Sequence, residues 1–278
     1  MDEQILKMLR GDLPKSVNQL LAEEIMRQLK TRVIGRKVIC YNTVDSTNTV
    51  AFALAEQGMP EGTAVFAEGQ KKGKGRLGRN WSSPKAKGIY ISLILRPHAS
   101  VRATGLITLL AAVSVAQAIR KTSGLNALIR WPNDILINNK KVCGILSEMH
   151  TQAGLVKFVV LGIGINVSTA RHQLPPGASS LKEQLPGQRL HFSRLDLARE
   201  LLRQLDREYL YFKDQGSAHV LTQWSNLSFL SGKRVQVVLQ EKVIEGLAQD
   251  LDDAGALIVR LDNGFKQHVL AGDVVKVR

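Results

Sequence analysis

The chain has 278 residues, 44% of them hydrophobic and 22% charged, with a formal net charge of +14. That length buries a full core and leaves room for a second small domain, which excludes a disordered or disulfide-stapled peptide, and the longest apolar run, Leu106 to Ile119, contains Ser and Gln and is too short to span a bilayer. The charge invites a nucleic-acid reading, yet seven of the cations crowd one loop and the rest are scattered, which suits a small anionic ligand and an acidic partner at least as well.

In chain order, residues 1–35 read as a short amphipathic helical segment, with Leu20, Leu21, Ile25 and Leu29 on one stripe. "VICYNTV" reads as a strand leading to "DSTN", where Ser46 or Thr47 can cap a helix running to about Gln57 and closed by Gly58. "GTAVFAEGQ" is a second strand, which delivers the chain into a basic loop, and residues 89–95 are a third. A largely apolar helix over about 104–122 follows, with small residues that predict burial on most sides. "ALIRW" is a strand stopped by Pro132, "ILINNKKVCGILSEM" a hairpin turning at Asn138 to Lys140, and "LVKFVVLGIGINV" the next strand. Hairpins and helices in runs predict an α+β fold with a mixed central sheet.

After about residue 170 the texture changes. Ser193 with Asp196 opens a helix carrying Leu197, Leu201, Leu205, Tyr209 and Phe212 on one face, and a shorter helix holds Trp224. From Gly232 onward five short strands separated by Gly and Asp turns predict a small barrel. The expected divisions are therefore 1–35, 36–230 and 231–278. Cys40 and Cys143 have no metal-ligand spacing and read as reduced core thiols. No signal peptide is legible, and a cytoplasmic enzyme with no membrane association is expected.

The basic loop contains "GKGRLG", Gly73 to Gly78, which fits the dinucleotide fingerprint G-x-G-x-x-G letter for letter. The fingerprint needs a helix after the last glycine to receive a pyrophosphate, and here Pro84, Gly88 and a β-branched strand follow instead. A P-loop also fails, for want of the right spacing and of a Ser or Thr after Gly-Lys. The loop places Lys71, Lys72, Lys74, Arg76, Arg79, Lys85 and Lys87 with no acidic residue among them. Between its glycines that is either an anion trap or a solvated basic loop.

"DSTN" (45–48), "EGQKKGKGRLGRNWSSP" (68–84), "RWPNDILINNKKVCGILSE" (130–148) and "GIGIN" (162–166), in this order, resemble the biotin protein ligases, and the C-terminal barrel extends the likeness over about residues 36–278. The resemblance implies a class II synthetase-like biotin/lipoate ligase fold with an SH3-like C-terminal barrel. It implies an enzyme that uses ATP and Mg²⁺ to make biotinyl-5′-AMP from biotin, then transfers the biotinyl group to a lysine of a biotin carboxyl carrier domain. Lipoate ligases or octanoyl transferases are the related alternative. The third reading, a biotin-responsive DNA-binding repressor, is disfavoured because about 35 residues are too few for a winged helix. Pairing of two copies through a sheet edge is left open.

By resemblance, Lys141, Arg76 and Asp134 are the catalytic group. Ser46, Thr47, Asn48, Gln70, Lys74, Gly75 and Gly144 join Arg76 and Lys141 around biotin. Gly73, Lys74, Arg76, Arg79, Trp81, Asn133 and Asn166 face ATP or the adenylate, and the metal ligands are unknown. Taken alone, Lys141 is a turn lysine like Lys140, "STN" a plain helix cap, and Trp81 a core residue at a strand start. Asp134 reads equally as a metal or lysine-orienting group or as a turn residue capping its own backbone, and the "GIG" before Asn166 could simply end a strand. Lys74 stands where the family commonly has arginine, keeping the charge and losing the planar fork.

Overall fold

The computed structural model describes residues 19–97, 104–239 and 242–277. The stripe expected over residues 1–35 forms a helix only over α1 (Ala22–Met26) within the described part, and residues 1–18 lie outside it. Leu20, Ile25 and Leu29 are buried as predicted, but the chain after α1 is irregular. Gln28 and Lys30 take positive φ, and the Asp206 carboxylate accepts the backbone N–H groups of Arg32, Val33 and Ile34 at 2.7–2.8 Å. Those donors are satisfied from outside, so no helix is needed to satisfy them.

Strands β1 (Lys37–Val44), β2 (Thr63–Gln70), β3 (Gly88–Leu95), β4 (Leu128–Arg130), β5 (Asp134–Ile137), β6 (Lys140–Gln152) and β7 (Leu155–Asn166) form one sheet in the order β1-β2-β3-β7-β6-β5-β4. β1 and β2 run parallel, joined through α2 (Thr47–Glu56), and the other neighbours are antiparallel, so the sheet is mixed as expected. The hairpin between β5 and β6 turns at Asn138 and Asn139, both at positive φ, the conformation a two-residue turn needs to match strand twist.

One face of the sheet carries the main core. α3 (Thr104–Ser123), the short α4 (Leu181–Gln184), α5 (Arg194–Gln215) and α6 (Ala218–Leu227) follow in order, and α3, α5 and α6 pack on one another. Ile89, Ile91, Leu161, Ile163 and Ile165 face them. α5 starts with a reciprocal cap: Ser193 Oγ accepts from Asp196 N at 3.0 Å and Asp196 Oδ2 accepts from Ser193 N at 3.0 Å. A buried ion pair, Arg194 Nη2 to Glu68 Oε2 at 2.7 Å, pins this helix start to β2. On the opposite face α2 covers Ile39, Val65, Ile94 and Val160 with Ala51, Leu54 and Ala55. Beyond the start of α2 that face lies open as a cleft.

The C-terminal strands β8 (Arg234–Leu239), β9 (Lys242–Leu251), β10 (Leu257–Arg260), β11 (Lys266–Val269) and β12 (Asp273–Val277) form an antiparallel sheet in the order β11-β10-β9-β8-β12, matching the small SH3-like unit expected. Its inner residues Val235, Val237, Ile244, Leu257 and Val259 belong to the main core cluster. The Trp131 indole N–H donates to Gly255 O at 3.1 Å, so the small unit is fastened to the body beside β5. Among the described residues no helix is long and apolar enough to cross a membrane.

Candidate functional site

The cleft has a volume of about 730 Å³, and every residue that the resemblance assigns to the site lines it. Its floor follows from strand periodicity. Side chains alternate across a strand, so with Ile163 and Ile165 in the core, Gly162 and Gly164 face the cleft. Gly144 on β6 is the cross-strand partner of Gly164, and together they make a patch of bare backbone.

Trp81 lies on that patch. A Cβ on Gly164 would sit 2.3 Å from Trp81 Nε1, and one on Gly144 would sit 2.9 Å from its Cζ3. The expectation of a core residue at a strand start is corrected: Trp81 lies outside the strands and half-buried, because the glycines leave one indole thickness of space above the sheet. Its buried indole N–H has no acceptor.

One end of the cleft is neutral and polar. Ser46 precedes the first turn of α2 but makes no side-chain cap, which corrects the plain-cap reading. Instead the motif turns inward, and Ser46, Thr47 and Asn48 are all buried. Ser92 Oγ lies 2.8 Å from Thr47 Oγ1 and 2.6 Å from Asn48 Oδ1, while Thr47 Oγ1 donates to Gln70 Oε1 at 3.1 Å. Gln70 Nε2 donates to Ser83 Oγ at 2.8 Å, and Asn48 Nδ2 donates to Glu148 Oε2 at 2.7 Å. The Thr47 hydroxyl and the amides of Asn48 and Gln70 are thereby fixed in direction before any ligand arrives. Ser83, Ser92, Glu148 and the floor glycine Gly162 were missed by sequence reasoning. For Gly162 a signal existed, since two glycines spaced by two must share a strand face.

The other end is cationic. Lys141 reaches it through a β-bulge: Ile135 pairs with Cys143 and Leu136 with Lys141, so Val142 is the extra residue. In a regular strand the same residues would put Lys141 on the core-facing side with Cys143, and the bulge returns it to the cleft side. Lys141 Nζ sits 2.5 Å from Asp134 Oδ1 and 5.5 Å from the Trp81 ring, whereas its neighbour Lys140 is exposed. Asp134 Oδ2 takes Arg130 Nη2 at 2.7 Å. Both oxygens of Asp134 are thus held by cations and neither caps its own backbone, which corrects the self-capping reading. Burial pushes the adjacent Cys143 thiol well above its ordinary range, leaving it an inert core residue.

The basic loop closes the mouth as a small hairpin, with Trp81 N donating to Gly73 O and Gly75 N to Arg79 O. Leu77 and Gly78 take positive φ at its tip. Lys74 pairs with Glu148 at 3.2 Å. Arg76 donates through Nη1 to Asn133 Oδ1 at 3.0 Å and to Asp273 Oδ1 at 3.3 Å, and through Nη2 to Gly272 O at 3.2 Å. Arg79 pairs with the other oxygen of Asp273. Asn133 is locked to β6 by its Nδ2 bond to Ile145 O at 2.7 Å. Asn166 ends β7, donates to Ser179 O at 3.1 Å and keeps a buried Oδ1 without a partner. Among the described residues no cluster of His, Cys, Asp and Glu could hold a metal ion.

A neutral hydrogen-bonding row at one end, a bare glycine floor and four cations at the other suit a ligand with a polar uncharged head, a thin apolar body and an anionic tail. The comparisons agree. Residues 40–166 match the biotin/lipoate A/B protein ligase family and residues 230–277 the biotin protein ligase C terminal domain. The chain is 35% identical over 259 residues to the bifunctional ligase/repressor BirA of Bacillus subtilis, covering 92% of this chain and 79% of that protein. It is 31% identical to the biotin–[acetyl-CoA-carboxylase] ligase of Mycobacterium tuberculosis, covering 91% and 95%. The biotin protein ligase of Aquifex aeolicus, solved in complex with biotin and ATP, superposes with a TM-score of 0.73 at 26% identity, covering 87% of this chain and 99% of that one. With both parts of the fold and both ends of the cleft accounted for, the chain belongs to the biotin protein ligase family.

Proposed function

We propose that the protein activates biotin with ATP and transfers the biotinyl group to a lysine of a biotin carboxyl carrier domain. The biotin carboxylate attacks the α-phosphorus and pyrophosphate leaves; the carrier amine then attacks the carbonyl carbon of biotinyl-5′-AMP, loses a proton, and AMP leaves. The observation that supports this most is the adjacency of a fixed neutral hydrogen-bond row to a cluster of cations across a glycine floor.

Ser46, Thr47, Asn48 and Gln70 receive the ureido ring, with Gly75 and Gly144 beside it and the aliphatic chain on the glycine floor. A lipoyl head group has no ureido edges and would bring no hydrogen-bonding group to this polar row, a loss of favourable contacts that favours biotin. Lys141 and Arg76 stand where carboxylate and phosphate negative charge converge, and Lys74, Gly73 and Arg79 complete the anion side. Asp134 orients the Lys141 ammonium. Trp81, Asn133 and Asn166 flank the nucleotide. Mg²⁺ would arrive on the ATP phosphates, since the carboxylates of this cleft are already engaged by cations; no residue here is assigned to it. The catalytic unit is 36–230 and the small unit 231–278, and the need for ATP and a carboxylase carrier suits the cytoplasm.

The test is incubation with ATP, Mg²⁺, biotin and a competent carrier domain. The expected result is pyrophosphate release and biotin on one carrier lysine. Absence of both with an acceptor that a known ligase modifies would refute the proposal.

A further inference from the structure

We propose that Asp273, on the C-terminal sheet, is the positioning residue that holds Arg76 and Arg79 together over the mouth, so that the small unit completes the anion side of the cleft. This goes beyond the site residues assigned above and rests on the biotin-ligase reading for its kinetic consequences.

The argument starts from charge. From Lys71 to Lys87 the loop has seven cations and no acidic residue, so it cannot neutralise itself. Lys72 takes Asp45 and Lys74 takes Glu148 from elsewhere. Arg76 and Arg79 converge on a single carboxylate, one guanidinium on each oxygen. Two like charges brought this close repel unless a counter-ion lies between them. Asp273 is that counter-ion.

The backbone points the same way. Leu77 takes a φ of 54°, a left-handed conformation costing about 1 kcal/mol for a residue with a Cβ, and its side chain is exposed. Nothing Leu77 packs against offsets that strain, whereas the turn it makes aims Arg76 and Arg79 at one point. On the other side, Gly272 has a φ of 143°, and a Cβ there would lie 2.8 Å from Val237 Cγ1 and 3.0 Å from Val238 O. Glycine lets the chain come close to β8 while its carbonyl accepts from Arg76 at 3.2 Å. Asp273 is therefore presented from a fixed platform, fastened through Trp131 and the shared core.

The rival view is that Asp273 competes with phosphate for the same guanidinium groups. The two give opposite signs. As an anchor, its loss splays the arginines and weakens nucleotide binding; as a competitor, its loss frees them and tightens it.

The experiment uses the full chain carrying Asp273→Asn, Asp273→Glu, or Asp262→Asn, the last removing the same charge from an Arg234 pair elsewhere on the same sheet. The expected result for Asp273→Asn is tryptic cleavage within residues 71–80 about tenfold faster without any ligand. It should also raise KM for ATP about tenfold, equivalent to about 1.4 kcal/mol, and leave KM for biotin within about twofold. Asp273→Glu restores most of both, and Asp262→Asn behaves as the parent. Unchanged loop cleavage, a lower KM for ATP, or the same effects from Asp262→Asn would overturn the proposal. Should Asp273→Asn melt early, Arg79→Gln tests the pair from the loop side, with cleavage read only after Lys71, Lys72, Lys74 and Arg76, which trypsin still recognises. If the parent chain makes no adenylate, the functional reading fails, while the protease arm still decides the role of Asp273.

Discussion

Adding one methyl group to the cleft floor separates a structural cost from a binding cost, because Gly162 and Gly164 lie on the same strand face under different neighbours. A Cβ on Gly162 would come within 2.1 Å of Asn48 Oδ1 and 2.8 Å of its Cγ. Asn48 cannot step aside, since Ser92 and Glu148 hold both ends of its amide. Gly162→Ala therefore combines overpacking, about 1–3 kcal/mol, with at least one stranded buried polar group, another 1–3 kcal/mol. At roughly 2–4 °C per kcal/mol for a chain of this size, the melting midpoint should fall by about 4–24 °C. At Gly164 the obstacle is the Trp81 indole at 2.3 Å, which belongs to the loop and can lift. Neither glycine has the positive φ that would add backbone strain. Gly164→Ala should thus melt within about 2 °C of the parent but bind biotin roughly 10–100-fold more weakly, because the methyl takes the depth meant for the ligand. Scanning fluorimetry and biotin calorimetry on the two variants decide the matter. Equal melting losses, or wild-type biotin affinity in Gly164→Ala, would refute the floor.

Lys141→Ala should cut the rate of adenylate formation about 10²–10³-fold in a pyrophosphate-release assay while biotin affinity changes less, since the carboxylate and the α-phosphate, both anionic from the start, are pressed together only on the way to the transition state. Arg194→Met should cost about 3–5 kcal/mol, read by urea titration, because it leaves the Glu68 carboxylate buried without its partner. The Ser193 hydroxyl and backbone N–H hold the Asp196 carboxyl below the usual carboxylate range. A depressed folded pKa means that this contribution is present above the unfolded value and is lost as pH falls through the folded one, so Asp196→Asn should flatten the acid limb of a melting-midpoint profile against pH.

Much of the fold could be read locally. The capping box at Ser193 and Asp196, the turn at Asn138 and Asn139, and the strand through "LVKFVVLGIGINV" are each decided within a few residues, and each appears in the structure where expected. The site residues were legible as motifs, but their arrangement was not. Asp273 lies 197 positions from Arg76, and no local pattern marks it as the partner of that loop. The bulge at Val142 leaves no composition signal, and Trp81 finds its place only because glycines from two other strands meet beneath it. The segment after α1 was misread for a similar reason: the carboxylate that takes its backbone donors is on a helix more than 170 residues away.

The extra residue on β6 gives that strand a parity. Gly144 and Lys141 lie an odd number of positions apart yet face the same side, so the bulge between them, and not simple alternation, decides where the ammonium emerges. Exchanges at Val142 that keep the bulge leave Lys141 on the cleft side, and deleting the residue would do so too, by restoring plain alternation from Cys143, whereas flattening the bulge with Val142 retained would turn Lys141 toward the apolar layer. This arm should therefore tolerate loss of the extra residue better than any change that straightens the strand around it, although a deletion in a hairpin arm is ordinarily the more damaging of the two.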